Sequence, residues 1–282
     1  MAAVDPGQAR RCGVLGDPIA HSLSPVLHRA AYAATGLGWS YGAERVGEDD
    51  LAAHLAGLGA DWRGLSLTMP LKRTAMALAP VVSQRAALAG AANTLLLEDG
   101  AVVLADNTDL PGAAAAVRER YAGPVTAGTV LGGGATAAST GLALCDLGAE
   151  RVTLLVRSPE RAAEALAALG RHPARPRVEV GSLADGVVDG EVVVSTIPPE
   201  AQDSGLVERC SGALVVFEVL YDPWPTPLAA AAASRGAVLV GGLDLLVHQA
   251  ALQFELFTGL PCPRDAMRAA GEEALAGRRA AG

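Results

Sequence analysis

Residues 66–73, SLTMPLKR, contain Lys72, the only lysine of the 282-residue chain, beside 21 arginines. Arginine stays charged in a protein, whereas lysine can give up its proton when its surroundings favour the amine, and it meets a small substrate as a point donor. A lone lysine in an arginine-rich chain is therefore a candidate acid or base; a surface charge retained by chance is the alternative. Proton transfer by lysine calls for a carboxylate that orients the amine and stabilises its charged form. Asp109, in ADNTDLPG, is the candidate, although it could instead cap a helix beginning near Leu110.

Other polar groups gather at strand ends, where open α/β sheets bind ligands. They are Thr68 beside Lys72, Asn93 and Thr94 in AGAANTL, and Asn107 and Thr108 ahead of Asp109. In GDPIAHSLSPVLHRAAY, Ser22 and Ser24 precede Pro25. Ser24 as N-cap with proline at the first helical position accounts for that pair. Two hydroxyls beside open helix N–H groups would equally grip a small carboxylate.

A second kind of chemistry is written in TVLGGGATAAS, where Gly132, Gly134 and Ala137 form a GxGxxA pattern after a strand and at the opening of a helix. Such glycines let the backbone turn tightly and approach a pyrophosphate, whose charge the helix N–H groups attract. An NAD site places an acid about 20 residues on, at the end of the next strand. Here Val156, Arg157 and Ser158 stand at that point, with Arg161 a turn later. A guanidinium and a hydroxyl without a carboxylate suit a 2′-phosphate, so the expected cofactor is NADP.

The elements that must position these residues alternate between short β-type runs and alanine-rich amphipathic windows, the rhythm of a mostly parallel α/β sheet. ANTLLLEDGAVVLADN breaks it once as a hairpin turning at Asp99 and Gly100. The first unit is expected to end near residue 108. Strands follow at TVLG, RVTLLV, RVEV, EVVVST, ALVVFEV and AVLVGG, and the tail from Gly242 reads as helical.

A hydrophobic fraction of 51% with 18% charged residues describes a globular chain, and the net charge of −8 argues against generic binding to nucleic acid or anionic membrane. The four cysteines lie far apart, and His21, His28, His54, His172 and His248 share no spacing with a closed ligand set, so no metal is expected. MAAVDPGQARR is followed by the short CGVLG rather than a secretion-signal core, and no apolar run is long enough for a bilayer. The expected location is the cytoplasm.

In their order along nearly the whole chain, GDPIAHSLSPVLH, LTMPLK, GAANT, ADNTD, LGGGATA, YDPWPTPL and LLVHQAALQFELFTG resemble shikimate dehydrogenases, most of all the actinobacterial branch. The resemblance implies a substrate domain over residues 1–108 and 243–282, and a Rossmann-type NADP-binding domain over 109–242, with substrate in the cleft and the C-terminal helices returning to the substrate domain. It implies reversible NADPH-dependent reduction of 3-dehydroshikimate to shikimate, with Lys72 and Asp109 as the catalytic pair. Ser22, Ser24 and Tyr221 would hold the substrate carboxylate, and Ser66, Thr68, Asn93 and Gln249 would line the ring hydroxyls. Cofactor contacts fall on Gly132, Gly133, Gly134, Ala135, Thr136, Arg157, Ser158, Arg161, Thr196, Val219 and Gly242. Three positions depart from the usual pattern: Ser66 replaces Asn, Ala138 stands where many members carry a base, and Val156 replaces the Asn before the arginine. An NAD-dependent quinate/shikimate dehydrogenase and a non-catalytic metabolite sensor are the alternatives. The expected assembly is a monomer or homodimer whose partners are small molecules.

Overall fold

The computed structural model describes residues 8–281; residues 1–7, part of the opening stretch compared above with a secretion signal, and residue 282 lie outside them. The chain separates into two compact units, one of residues 1–87, 91–108 and 246–282, the other of 88–90 and 109–245.

The first unit begins with β1 (Arg11–Gly16), α1 (Ser24–Thr35), β2 (Ser40–Arg45), α2 (Leu51–Ala56) and β3 (Trp62–Leu67). Short helices α3 (Thr74–Ala77) and α4 (Gln84–Ala89) lead to β4 (Thr94–Glu98) and β5 (Ala101–Asp106). The sheet order is β2-β1-β3-β4-β5, with β1 parallel to both β2 and β3, and β4 antiparallel to β3 and β5. β1 and β3 are buried along almost their whole length; CGVLG in β1 accordingly runs apolar instead of alternating, and the polar Arg63 and Ser66 within β3 are hydrogen-bonded, Arg63 to Phe257 O and Leu97 O and Ser66 to Gln253. The expected hairpin is present. Asp99 and Gly100 both have left-handed φ, at 49° and 80°, as a two-residue turn matching the sheet twist requires. In the register, Ser66 lies opposite both Val14 and Thr94.

The second unit contains α5 (Asp109–Arg120), β6 (Ala127–Leu131), α6 (Ala135–Asp146), β7 (Arg151–Val156), α7 (Ala163–Gly170), β8 (Arg177–Ser182) and β9 (Val192–Ser195). It continues through α8 (Ser204–Arg209), β10 (Val215–Glu218), α9 (Pro227–Ser234) and β11 (Val238–Val240). Its strands form one sheet ordered β8-β7-β6-β9-β10-β11, parallel at every pairing. That is the doubly wound dinucleotide-binding order, and β6 and β9 flank its switch point.

Helix α10 (Gly242–Thr258) starts in the last residues of the second unit and continues into the first, followed by α11 (Arg264–Ala281). Within the first unit α11 packs on α1. Phe257, near the end of α10, lies against β3 at Gly64, where an added Cβ would stand 2.2 Å from the aromatic ring. Only glycine at that position lets the helix seat on the strand.

Two expected caps are corrected. The N-cap of α1 is Leu23, in right-handed helical conformation and with no side-chain cap, so Ser24 is already within the helix. Helix α5 begins at Asp109 itself, not after it.

Candidate functional site

In the first unit the polar residues at the strand ends are fixed by backbone contacts. The Thr68 N–H donates to Leu15 O at 2.9 Å, and a Cβ on Gly16 would come within 2.2 Å of the Thr68 methyl. Glycine at the end of β1 thus makes the seat for Thr68. The Lys72 carbonyl accepts from Ala92 N–H at 2.6 Å, which ties the lysine-bearing turn to the residues before Asn93. Lys72 is half-buried.

Asn93, Thr108 and Gln249 come together although they lie far apart in sequence. Asn93 Oδ1 accepts the Thr108 N–H at 2.8 Å, and Asn93 Nδ2 donates to Thr108 Oγ1 at 2.9 Å and Gln249 Oε1 at 3.2 Å. All three are buried, so these bonds offset the cost of removing carboxamides and a hydroxyl from water. Ser24 is buried and Ser22 half-buried; the Ser24 N–H donates to Ser22 Oγ at 3.3 Å. The Ser22 hydroxyl therefore supports the helix entry that Ser24 was expected to cap.

Ser66 has a different environment. Its hydroxyl donates to Gln253 Oε1 at 2.7 Å and lies 2.5 Å from the Tyr41 hydroxyl, deep in the unit.

In the second unit the glycine turn follows β6 directly. Gly132 has φ 118° and faces Thr196, whose hydroxyl donates to Leu131 O at 2.8 Å. A Cβ on Gly133 would fall 2.0 Å from the Arg161 carbonyl, whereas one on Gly134 would meet nothing within 4 Å. The first two glycines thus pack the turn, and the third leaves open space at the start of α6. No side chain caps that helix, and Ala135 and Thr136 form its first turn. These features suit close approach of a pyrophosphate. Beyond β7, Arg157 and Arg161 are exposed and Ser158 half-buried, with no acid at the strand end. Ala138 and Val156 belong to the hydrophobic core, so those two departures from the usual pattern serve packing.

Gly242 is buried, and a Cβ there would stand 2.4 Å from Val219 O and 2.5 Å from the Leu220 carbonyl carbon. Glycine lets α10 begin directly against the Val219–Leu220 backbone. Tyr221 follows, half-buried, and Asp109 is buried in the first turn of α5, where the helix dipole favours a negative charge.

The sequence reading missed three residues. Gln253 and Tyr41 complete the Ser66 network; the available signal was Gln253 one turn after Gln249, on the same face of α10. Glu218 is the third. Its carboxylate accepts from Gln202 Nε2 at 2.8 Å, Thr226 Oγ1 at 2.9 Å and Leu220 N at 3.2 Å. Burial pushes its pKa up against these donors, which hold the backbone just after β10. Among the described residues no group of three or more His, Cys, Asp or Glu is arranged to hold a metal.

A doubly wound parallel sheet with a glycine turn at its switch point, joined to a second α/β unit bearing a buried amide cluster, defines a two-unit protein of the dinucleotide-binding class. The sequence model of the shikimate dehydrogenase substrate binding domain matches residues 14–95, and that of the shikimate 5′-dehydrogenase C-terminal domain matches 242–270. The shikimate dehydrogenase (NADP(+)) of Symbiobacterium thermophilum is 34% identical, spanning 96% of this chain and 97% of its own. The crystal structure of Mycobacterium tuberculosis shikimate dehydrogenase is similar with a TM-score of 0.84 and 42% identity, over 95% of this chain and 99% of that one. The Thermus thermophilus shikimate 5-dehydrogenase, solved with NADP(H) and shikimate, has a TM-score of 0.79 and 29% identity, over 94% and 99%. The chain belongs to the shikimate dehydrogenase family.

No helix among the described residues is long and apolar enough to cross a membrane.

Proposed function

We propose that this chain catalyses the reversible NADPH-dependent reduction of 3-dehydroshikimate to shikimate, on the route to chorismate and the aromatic amino acids. The observation that carries the proposal is similarity to NADP(+)-dependent shikimate dehydrogenases over nearly the full length of both chains. The separate substrate and NADP units are part of the same reading, with boundaries near residues 108 and 242.

In this reading Ser22, Ser24 and Tyr221 bind the substrate carboxylate, while Thr68, Lys72, Asn93, Asp109 and Gln249 bind the ring hydroxyls. Ser66 contributes from behind, as its hydroxyl already donates to Gln253 Oε1. When bound, NADPH supplies the hydride for the C3 carbonyl carbon. Lys72 gives a proton to the carbonyl oxygen as negative charge develops there, and takes it back from the C3 hydroxyl in the oxidative direction. Asp109 orients the lysine and the hydroxyl. On the cofactor side, residues 132–136 with Thr196 receive the pyrophosphate, Arg157, Ser158 and Arg161 receive the 2′-phosphate, and Val219 and Gly242 border the nicotinamide. The protein acts in the cytoplasm on small molecules, as a monomer or homodimer, without nucleic acid.

Steady-state kinetics with shikimate and quinate, each with NADP and NAD, tests the proposal. The expected result is the highest kcat/KM for shikimate with NADP; a preference for quinate with NAD, or binding without turnover, would overturn it.

A further inference from the structure

We infer that Gln253 is a positioning residue: with Tyr41, Ser66 and Thr94 it forms a hydrogen-bond relay that fixes which way the Asn93 and Gln249 carboxamides present their N–H and C=O groups. The inference rests on the proposed function, in which those two amides bind ring hydroxyls. Gln253 is itself fully buried, so it acts through its neighbours.

The direction of each bond follows from donor counting. Gln253 Nε2 donates to Asn93 O at 3.1 Å and Thr94 Oγ1 at 2.8 Å, which uses both of its protons and assigns Oε1 as the acceptor from Ser66. Ser66 has one proton, spent on Gln253, so Tyr41 is the donor in the 2.5 Å pair. Tyr41 is held in place by the His28 ring stacked on it, with centroids 4.1 Å apart and planes 9° from parallel.

At the other end, Thr94 accepts from Gln253 and passes its own proton to Asn93 Oδ1 at 2.8 Å. The same oxygen accepts the Thr108 N–H, so Asn93 turns Oδ1 toward Thr94 and Thr108, and spends the two Nδ2 protons on Thr108 Oγ1 and Gln249 Oε1. With Oε1 so directed, Gln249 Nε2 donates to Leu246 O at 3.0 Å and has a second proton for a ligand oxygen. Reversing any amide would set like atoms against each other in a buried site, where an unmade bond is costly. Gln249 and Gln253 are four residues apart on α10, hence on one face, and Ser66 and Thr94 are register partners across β3 and β4. Where the resemblance leads one to expect Asn at position 66, this chain has the shorter Ser, whose hydroxyl meets the Gln253 carboxamide of α10.

The test uses the full chain with Gln253→Leu and Ser66→Ala, the latter removing one hydroxyl. KM and kcat are measured for shikimate, for NADP, and for a shikimate analogue lacking one of the ring hydroxyls the wild type recognises. Gln253→Leu is expected to raise KM for shikimate by roughly tenfold, the scale of one or two buried hydrogen bonds, and Ser66→Ala by less. KM for NADP stays the same, and the wild-type penalty for the missing hydroxyl shrinks in both variants. Unchanged shikimate KM and an undiminished penalty in Ser66→Ala would overturn the relay even if Gln253→Leu fails to fold. Absence of shikimate turnover in the wild type would overturn the proposed function and the relay together.

Discussion

At the residue scale, the proposed chemistry assigns separate tasks to Lys72 and Arg157, and each gives a distinct kinetic signature. Lys72→Ala removes the proposed acid and base while leaving the other hydroxyl ligands in place. Its kcat should fall by roughly 10²–10⁴, the range for a positioned acid–base group, with a smaller change in shikimate KM. An unaltered kcat would refute the role. Arg157 is exposed at the end of β7, where the acid that would favour NAD is missing. Arg157→Ala should therefore raise KM for NADP far more than KM for NAD, and equal effects would exclude it as the 2′-phosphate ligand. Both residues were legible because each is a chemical anomaly in the sequence, a single lysine and an arginine in an acid's place. Gln253 was not, because its meaning depends on Ser66 and Thr94, which only strand pairing and the return of α10 bring to it.

At the element scale, the hairpin and the glycine turn could be read from local sequence because Asp99 and Gly100 in the one and Gly132 in the other hold backbone angles that few residues accept. The start of α1 could not, since Leu23 takes the capping position without supplying a side-chain bond. The same helix carries a pH liability that periodicity conceals. His28 looks like an ordinary polar residue, yet it is fully buried against Tyr41, and burial lowers its pKa to about 3 despite an opposing effect from Gln253. Unfolded histidine takes up a proton below about pH 6.5. Between that pH and about 3 the unfolded state binds more protons than the folded one, so stability falls as the pH is lowered. His28→Phe keeps a ring against Tyr41 and removes the titration. The slope of unfolding free energy against pH in this window should drop by up to about 1.4 kcal/mol per pH unit, measured by urea unfolding at a series of pH values. An unchanged slope would mean that His28 does not govern acid stability.

At the scale of the whole molecule, the alternation of strands and helices made the two units legible, but it could not reveal how unevenly each depends on distant chain. The second unit is nearly continuous, and its two large core clusters lie within residues 88–245. The first unit is completed only when residues 246–282 return after a 137-residue excursion (109–245). Its terminal helix α11 packs on α1, buries Met267 and Leu275, and donates from Arg278 to His21 O at 3.1 Å. Deleting residues 263–282 strips that covering from the helix that carries Ser24. Two buried apolar side chains correspond to roughly 3–6 kcal/mol, a large part of the stability of an ordinary domain. With a urea slope of about 2 kcal/mol/M, the first unit's midpoint should fall by roughly 1.5–3 M. The tryptophans report the units separately, because Trp39 and Trp62 lie in the first and Trp224 in the second. Truncated protein with Trp224→Phe should show the early transition, while truncated protein with Trp39→Phe and Trp62→Phe should retain the midpoint of its full-length counterpart. If both fluorescence signals moved together by the same amount, the second unit could not stand on its own core, and the unequal dependence argued from chain continuity would be wrong.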